Sequence, residues 1–202
     1  MSRYVSLLLL MFALGAGALA RAEIAPDVLA RTTTQEVVSL VKQDPDIKSG
    51  RTSKVYALVE TKILPHFDFE RMTKLALAQN WNKASPEQRQ RLVDEFRVML
   101  VRTYAASISS VSEYKIDFKP LRMAPGDTEV TINSEVSKPG APPITIDYRM
   151  DKKGNAWKVW DVLVDNVSLV TIYRGSFKSE VSKGGIDGLI QALARRNAKK
   201  TS

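Results

Sequence analysis

Residues 157–177 constrain the fold most, because a strand and a helix follow each other there with almost no connector. The first eight residues, WKVWDVLV, are rich in β-branched and aromatic side chains, which is typical of a strand. Asp165 and Asn166 are turn-forming residues, and Ser168 is a suitable N-cap for a helix whose apolar residues recur at three and four. The sequence therefore predicts a strand–turn–helix corner.

This predicted strand carries apolar residues at both odd and even positions, so that both of its faces are apolar. Such a strand is normally covered on both sides. Two interpretations remain open at this point. The corner is buried inside an ordinary core, or one of its faces packs on the core while the other lines a ligand cavity.

The N-terminus has the pattern of an export signal. A short basic start with Arg3 precedes an apolar run over residues 5–14, and Ala20, Arg21 and Ala22 form a cleavage motif. We expect residues 1–22 to be a signal peptide that is cleaved after Ala22, which gives an exported protein, with an uncleaved anchor as the alternative. The chain has no Cys, which excludes disulfides, thiolate metal sites, thiol nucleophiles and a lipoprotein anchor.

The chain is basic, with a formal net charge of +8. Export and the lack of basic residues interleaved with aromatic ones argue against a nucleic-acid partner. Attraction to anionic lipid surfaces or to an acidic protein partner fits the charge better. Charge that only keeps the protein soluble is the alternative.

The first half of the mature chain has helical patterns over residues 23–43, over 53–64 and after Asp68. The clearest helix begins at Ser85, where SPEQ is a capping box with Pro86 at the first helical position. Apolar residues at helical spacing extend this helix to about Ser110. The pattern near the C-terminus predicts helices that are interrupted at Gly184 and Gly185.

Alternation with period two replaces the helical pattern over residues 114–118, 130–136 and 144–150. With the opening stretch, this predicts four strands in an antiparallel meander. The expected fold class is α+β, a twisted antiparallel sheet of about four strands with helices packed on it. We expect one domain over 23–202, with a helical part at about 23–110, a sheet at about 111–165 and C-terminal helices at about 167–197.

Residues suited to catalysis are scarce. His66 is the one histidine, and no nucleophile elbow accompanies it. Asp161 and Asp165 are a candidate acid–base pair at a strand end, although a turn role for Asp165 and an ion pair for Asp161 are the more ordinary explanation. Glycine-rich phosphate loops are absent from the sequence. The inventory predicts a protein that binds through apolar surface, is not an enzyme and needs no cofactor or metal.

Two groups of motifs, which together cover the mature chain, carry a resemblance to a known family. The first is FDF at 67–69, Trp81, ASPEQR at 84–89, Phe96 and Tyr104. The second is WKVWDV at 157–162, NVSLV at 166–170, YR at 173–174, Phe177 and GIDGLI at 185–190. Together, behind a cleavable signal, they resemble the MlaC family, also called the toluene-tolerance Ttg2 auxiliary family.

The resemblance implies a periplasmic, monomeric carrier of phospholipid. Its implied partners are an outer-membrane lipoprotein complex and an inner-membrane ABC transporter with an MCE-domain subunit. It supports the lipid asymmetry of the outer membrane. The implied fold is a twisted sheet related to the NTF2-like cone, with helices, that encloses an apolar cavity. An NTF2-like enzyme that uses Asp161 or His66, and a periplasmic adaptor that binds another protein, are the alternatives.

We expect the acyl chains to contact the concave face of the sheet and the helix that follows it. The expected lining residues are Val130, Ile132, Ile144, Ile146, Tyr148, Trp160, Val162, Val164, Leu169, Val170 and Tyr173, with Tyr104 from the long helix. For each of them, plain core packing is the alternative. We expect Arg174 either to meet a phosphate at the cavity mouth or to pair with Asp161.

Overall fold

The computed structural model describes residues 24–198. The predicted signal peptide with its cleavage site and the last residues of the basic tail lie outside the described residues. Among the described residues, no helix is long and apolar enough to cross a bilayer.

The N-terminal half is helical, as expected. Its helices are α1 (Pro26–Gln43), α2 (Pro45–Lys48), α3 (Thr52–Leu58), α4 (Phe69–Leu77) and α5 (Pro86–Ser109). After α3 the chain continues through a π-helical turn and a 3-10 turn that contains Pro65. The second predicted helix is therefore divided into three short helical pieces.

Side-chain caps begin the helices where the sequence predicts them. The Asp68 carboxylate accepts a hydrogen bond from Arg71 N at 2.9 Å, which caps α4. At α5, Gln88 N donates to Ser85 Oγ at 3.2 Å and Ser85 N donates to Gln88 Oε1 at 3.0 Å, which is the predicted capping box. These bonds satisfy backbone donors that a helix N-terminus leaves without partners.

The sheet is an antiparallel meander in the order β1-β2-β3-β4-β5. Its strands are β1 (Lys115–Phe118), β2 (Glu129–Ser137), β3 (Ile144–Lys153), β4 (Ala156–Val164) and β5 (Val167–Ser168). The expected α+β fold class is confirmed, with five strands where the sequence predicts about four. The additional strand, β5, has only two residues, because Asp165 and Asn166 both have positive φ and turn the chain tightly back along β4.

A bulge in β4 decides which side chains share a face of the sheet. Val159 pairs with Met150, whereas Asp161 pairs with the preceding Arg149, so that Trp160 is left without a partner in β3. The extra residue shifts the alternation by one position. As a result Val159 and Val162 lie on the same face, although a regular period of two would separate them.

The helix α6 (Leu169–Ala198) is bent within its length. Gly184 and Gly185 have non-helical backbone angles, and the φ of +66° at Gly185 lies in the left-handed region, which favours glycine. The predicted interruption at these two residues is confirmed as a kink between two helical parts.

The buried apolar residues form three clusters. The helical core joins α4, α5 and α6 around Phe96 and Phe177. A second cluster holds α1, α2 and α3 against α5. The sheet cluster joins Met150, Trp157 and Val159 to residues of α1. The sheet thus has a core of its own, and Phe67 packs against both this core and that of the helices.

Candidate functional site

One face of the sheet, called the apolar face below, carries most of the residues that the sequence predicts as lining. The register places the following side chains on it: Ile116, Phe118, Val130, Ile132, Ser134, Val136, Ile144, Ile146, Tyr148, Met150, Lys152, Trp157, Val159, Val162 and Val164. All but Ser134, Lys152 and the Tyr148 hydroxyl are apolar. Seven of the predicted lining residues therefore share this face.

The two ends of the apolar face differ in how well they are covered. At one end, Met150, Trp157 and Val159 are buried, and Leu29 and Ala30 of α1 pack against their cluster. The other end, called the open end below, consists of Ile144, Ile146 and Val164. These three side chains are half-buried and belong to none of the three core clusters of the described residues.

Tyr148 lies on the apolar face between these two ends. Its side chain is only half-buried, yet burial raises its pKa to about 12 and outweighs the opposing hydrogen bond with Ser134. The Ser134 hydroxyl itself donates to Ile146 O at 2.6 Å.

An open cleft of about 360 Å³ lies between α1 and β1, beside the open end. We call it the α1–β1 cleft. It is lined by Arg31, Thr34, Gln35, Val38, Ser39 and Lys42 of α1 and by Tyr114, Ile116 and Phe118 at β1. Sequence reasoning did not include any of these residues in the site. The alternation of Tyr114, Ile116 and Phe118 was a usable signal, but only the fold brings α1 beside them.

The predicted lining residues on the helices belong to a different region. Val170 and Tyr173 are buried in the helical core, and Leu169 at the start of α6 is half-buried. Tyr104 is 38% exposed on α5. Partial burial and a hydrogen bond with Tyr173 raise the pKa of Tyr104 to about 12. The structure does not bring these residues to the apolar face.

Trp160 lies apart from the other predicted lining residues of β4, because it is the bulged residue. The Arg71 guanidinium lies 4.3 Å from its ring centroid and the Arg149 guanidinium 5.7 Å. Arg71 also pairs with Asp151 at 2.6 Å and with Glu129 at 2.5 Å. Trp160 is thus part of a cation–π and ion-pair network on the opposite face of the sheet. We call this face, which carries Glu129, Thr131, Arg149, Asp151 and Asp161, the polar face.

Asp161 anchors the strand–helix corner. It is 1% exposed, and its carboxylate accepts hydrogen bonds from Ser168 Oγ at 2.7 Å and Val170 N at 3.2 Å and pairs with Arg149 at 3.4 Å. The expected ion pair therefore forms with Arg149, and the expectation that Arg174 fills this place is wrong. Arg149 on the neighbouring strand is the residue in register with Asp161.

Arg174 is exposed on α6, and its Nε donates to Leu75 O at 3.2 Å. This bond ties α6 to the last turn of α4. Leu75 O is one of the terminal helix carbonyls that need a donor from elsewhere.

The other candidates for acid–base chemistry have structural surroundings. Burial and the nearby positive charge of Lys158 lower the pKa of His66, against the opposing effect of Glu36. The Asp165 carboxylate accepts a hydrogen bond from Thr145 N at 2.8 Å and fixes the turn to β3. Among residues 24–198, no three His, Cys, Asp or Glu side chains gather as a metal site would require.

Comparison with known proteins gives concordant matches over most of the chain. The family model described as MlaC protein matches residues 31–195. A solved phospholipid-binding protein from Ralstonia solanacearum, in complex with a phospholipid, is 38% identical and superposes with a TM-score of 0.81. The match covers 87% of this chain and 98% of that one.

Two curated relatives are more distant. The toluene tolerance protein ttg2D of Pseudomonas putida is 23% identical over 163 residues, which cover 80% of this chain and 75% of the relative. The intermembrane phospholipid transport system binding protein MlaC of Haemophilus influenzae is 25% identical over 182 residues, 85% of this chain and 82% of the relative.

Proposed function

This chain belongs to the MlaC family, and we propose that it binds a phospholipid whose acyl chains lie on the open end of the apolar face. The half-burial of Ile144, Ile146 and Val164 is the observation that carries the proposal. Three large aliphatic side chains on one sheet face, outside every core cluster, offer an unfilled apolar surface. Covering such a surface with an acyl chain removes apolar area of both partners from water, which is favourable.

The phospholipid held by the Ralstonia solanacearum protein supports the same ligand class, because the two chains are similar over most of their length. We propose Ile144, Ile146, Tyr148, Val162 and Val164 as the residues that contact the acyl chains. Val130 and Ile132, which are buried in the sheet cluster, pack beside these residues. Trp160, Tyr104, Val170 and Tyr173 are left out of this set, because their contacts lie on the polar face or in the helices.

Transfer energetics explain why such a lipid needs a carrier. Burial of one methylene is worth about 0.8 kcal/mol, so a chain of about fifteen methylenes resists transfer through water by about 12 kcal/mol. A protein that covers the chain with aliphatic side chains removes most of this barrier. The acyl chains supply most of that affinity, and the head group remains near the surface.

We propose further that the protein works in the periplasm and carries phospholipid between an outer-membrane lipoprotein complex and an inner-membrane ABC transporter with an MCE-domain subunit. The export signal in the sequence and the name of the Haemophilus influenzae relative, an intermembrane phospholipid transport system binding protein, support this role. The protein is a binding protein and not an enzyme in this proposal, and the direction of transfer is set by its partners.

Native mass spectrometry of the freshly purified mature protein tests the binding proposal. We expect a fraction of the molecules to carry the additional mass of a phospholipid. Protein that is empty under conditions in which a known phospholipid carrier keeps its lipid would contradict the proposal, and would favour an adaptor that binds another protein.

A pair of substitutions locates the lipid on the sheet. Ile146→Asp puts a charge on the open end, and Thr131→Asp puts the same charge on the polar face, opposite Arg149. We expect Ile146→Asp to lose its co-purified lipid and Thr131→Asp to retain it, while both keep the circular dichroism spectrum of the parent. Equal lipid content in the two variants would refute this location.

A further inference from the structure

We propose that the α1–β1 cleft is the mouth of the lipid site, and that the positive charges of Arg31 and Lys42 on its rim attract the phosphate of the head group there. This inference rests on the phospholipid binding proposed above. It adds the place of the head group and the side chains that contact it. It also moves the mouth away from Arg174, whose guanidinium already bonds to Leu75 O on the helical side of the molecule.

The floor of the cleft is continuous with the open end of the apolar face. The register places Ile116 in the same cross-strand row as Ile144, and Phe118 in the same row as Ile146 and Val164. These rows cross β2 at Val136 and Ser134, which are 7% and 2% exposed. Apart from the Ser134 hydroxyl, which bonds to Ile146 O, the side chains along the rows from the cleft to β4 are apolar.

The length of this path suits an acyl chain. Neighbouring strands lie about 4.8 Å apart, so the three steps from β1 to β4 span about 14 Å. An acyl chain occupies about half of the roughly 30 Å hydrocarbon core of a bilayer, which is about 15 Å. A chain that starts in the cleft thus ends near Val164, at the far edge of the open end.

The rim of the cleft is cationic. Arg31 and Lys42 lie three turns apart on the same side of α1 and both line the cleft. No acidic residue is among its lining residues, and within the described part of the chain no acidic side chain comes within ion-pair distance of either cation. Lys138, whose Nζ lies 5.1 Å from the Tyr114 ring centroid, adds positive charge beside the cleft.

Arg31 stands at the boundary between the rim and the floor. Its guanidinium carbon lies 5.2 Å from the ring centroid of Phe118. A planar guanidinium that rests on an aromatic ring keeps its N–H donors directed sideways, and it binds phosphate oxygens in pairs. The hydroxyls of Thr34 and Ser39, between the two cations, are suited to the glycerol and ester oxygens of the ligand.

The cleft thus offers a suitable group for each part of a phospholipid. Cations stand at the surface, hydroxyls lie between them, and aromatic and aliphatic side chains form the floor. A cleft of about 360 Å³ accommodates a head group and the first part of the chains, and its size is in the usual range of ligand sites.

Binding measurements with two lipids that have identical acyl chains test the inference. One is phosphatidylglycerol and the other is diacylglycerol, which lacks the phosphate. Both compete with a fluorescent phospholipid for the mature protein. We expect Arg31→Gln/Lys42→Gln to weaken the binding of phosphatidylglycerol by about tenfold for each cation and to leave the binding of diacylglycerol unchanged. The charge-keeping variant Arg31→Lys/Lys42→Arg is expected to recover most of the loss.

A matched control removes the same kinds of charge elsewhere. Arg195 and Lys178 are exposed on α6, and Lys178→Gln/Arg195→Gln is expected to bind both lipids as the parent does. A comparable loss of affinity for phosphatidylglycerol in this control would overturn the inference, because net charge and not the cleft would then explain the effect.

The other outcomes separate this inference from the proposed function. Unchanged phosphatidylglycerol affinity in Arg31→Gln/Lys42→Gln, or an equal loss for both lipids, overturns the head-group assignment and leaves lipid binding intact. A parent protein that binds neither lipid overturns both proposals. Displacement of the fluorescent phospholipid by inorganic phosphate alone would assign the cleft to the free anion, and we expect none.

Discussion

The helical core and the open end of the apolar face are built from similar apolar side chains but are packed in opposite ways. In the helical core the rings of Phe96 and Phe177 are in edge-to-face contact, with centroids 5.0 Å apart, and are 0% and 2% exposed. At the open end Ile144 and Ile146 are only half-buried. The difference indicates that the helices supply stability, while the sheet keeps apolar surface available for a ligand.

The largest expected difference between the two regions is in the free energy of unfolding. Phe177→Ala opens a cavity in the helical core and is expected to cost about 4 kcal/mol. Ile146→Ala removes a side chain that is already partly exposed and is expected to cost about 1 kcal/mol. Urea denaturation of lipid-free protein measures both. Equal losses would mean that the two regions are packed alike.

The corner that joins the two regions depends on Asp161. Asp161→Ala leaves Val170 N and Arg149 without their acceptor, and we expect a loss of about 3 kcal/mol in the free energy of unfolding. Asp161→Asn keeps one acceptor oxygen and is expected to lose less. Equal stability of the two variants in urea denaturation would mean that the hydrogen bond from Val170 N to the carboxylate does not account for the lost stability.

The stability of the protein at alkaline pH tests how far water is excluded from Tyr148 on the apolar face. The pKa of Tyr148 is raised to about 12, so the folded state favours its neutral phenol. Its contribution, at most about 3 kcal/mol, is fully present below the unfolded pKa near 10 and is lost as the pH rises from there to about 12. Tyr148→Phe is expected to flatten the fall in stability over this interval. An unchanged fall would contradict the burial of Tyr148.

The smallest effect is expected at the N-cap of α6. Ser168 Oγ accepts a hydrogen bond from Thr171 N at 3.1 Å and donates to Asp161, so Ser168→Ala is expected to cost about 1 kcal/mol. Because the two residues are bonded, the double variant with Asp161→Ala is expected to lose less than the sum of the single losses. A double-mutant cycle of stabilities from thermal denaturation measures this coupling, and strict additivity would contradict the shared network.

Local patterns made the elements predictable from sequence. The capping box at Ser85, the N-cap at Asp68 and the alternation over β2 and β3 depend on neighbours within a few residues, and all appear in the structure. Seven of the predicted lining residues share one face, because regular alternation also fixes faces within a strand. The kink at Gly184 was predictable for the same local reason.

The remaining details depend on residues that are distant in the sequence. The bulge at Trp160 follows from the register between β3 and β4, and period two alone places that side chain on the same face as Val162 and Val164. The partner of Asp161 is the cross-strand Arg149, which no local pattern indicates. The α1–β1 cleft combines the first helix with a strand about eighty residues later, so its cations could not be recognised before the fold was known.

Photo-crosslinking tests the central claim, that acyl chains lie on the open end of the apolar face, most directly. The mature protein is loaded with a phospholipid that carries a photoactivatable diazirine near the end of one acyl chain, irradiated, digested and analysed by mass spectrometry. The account predicts labels within residues 144–148 and 162–164. Labels concentrated around Phe96 and Phe177 would place the chains among the helices and would contradict it.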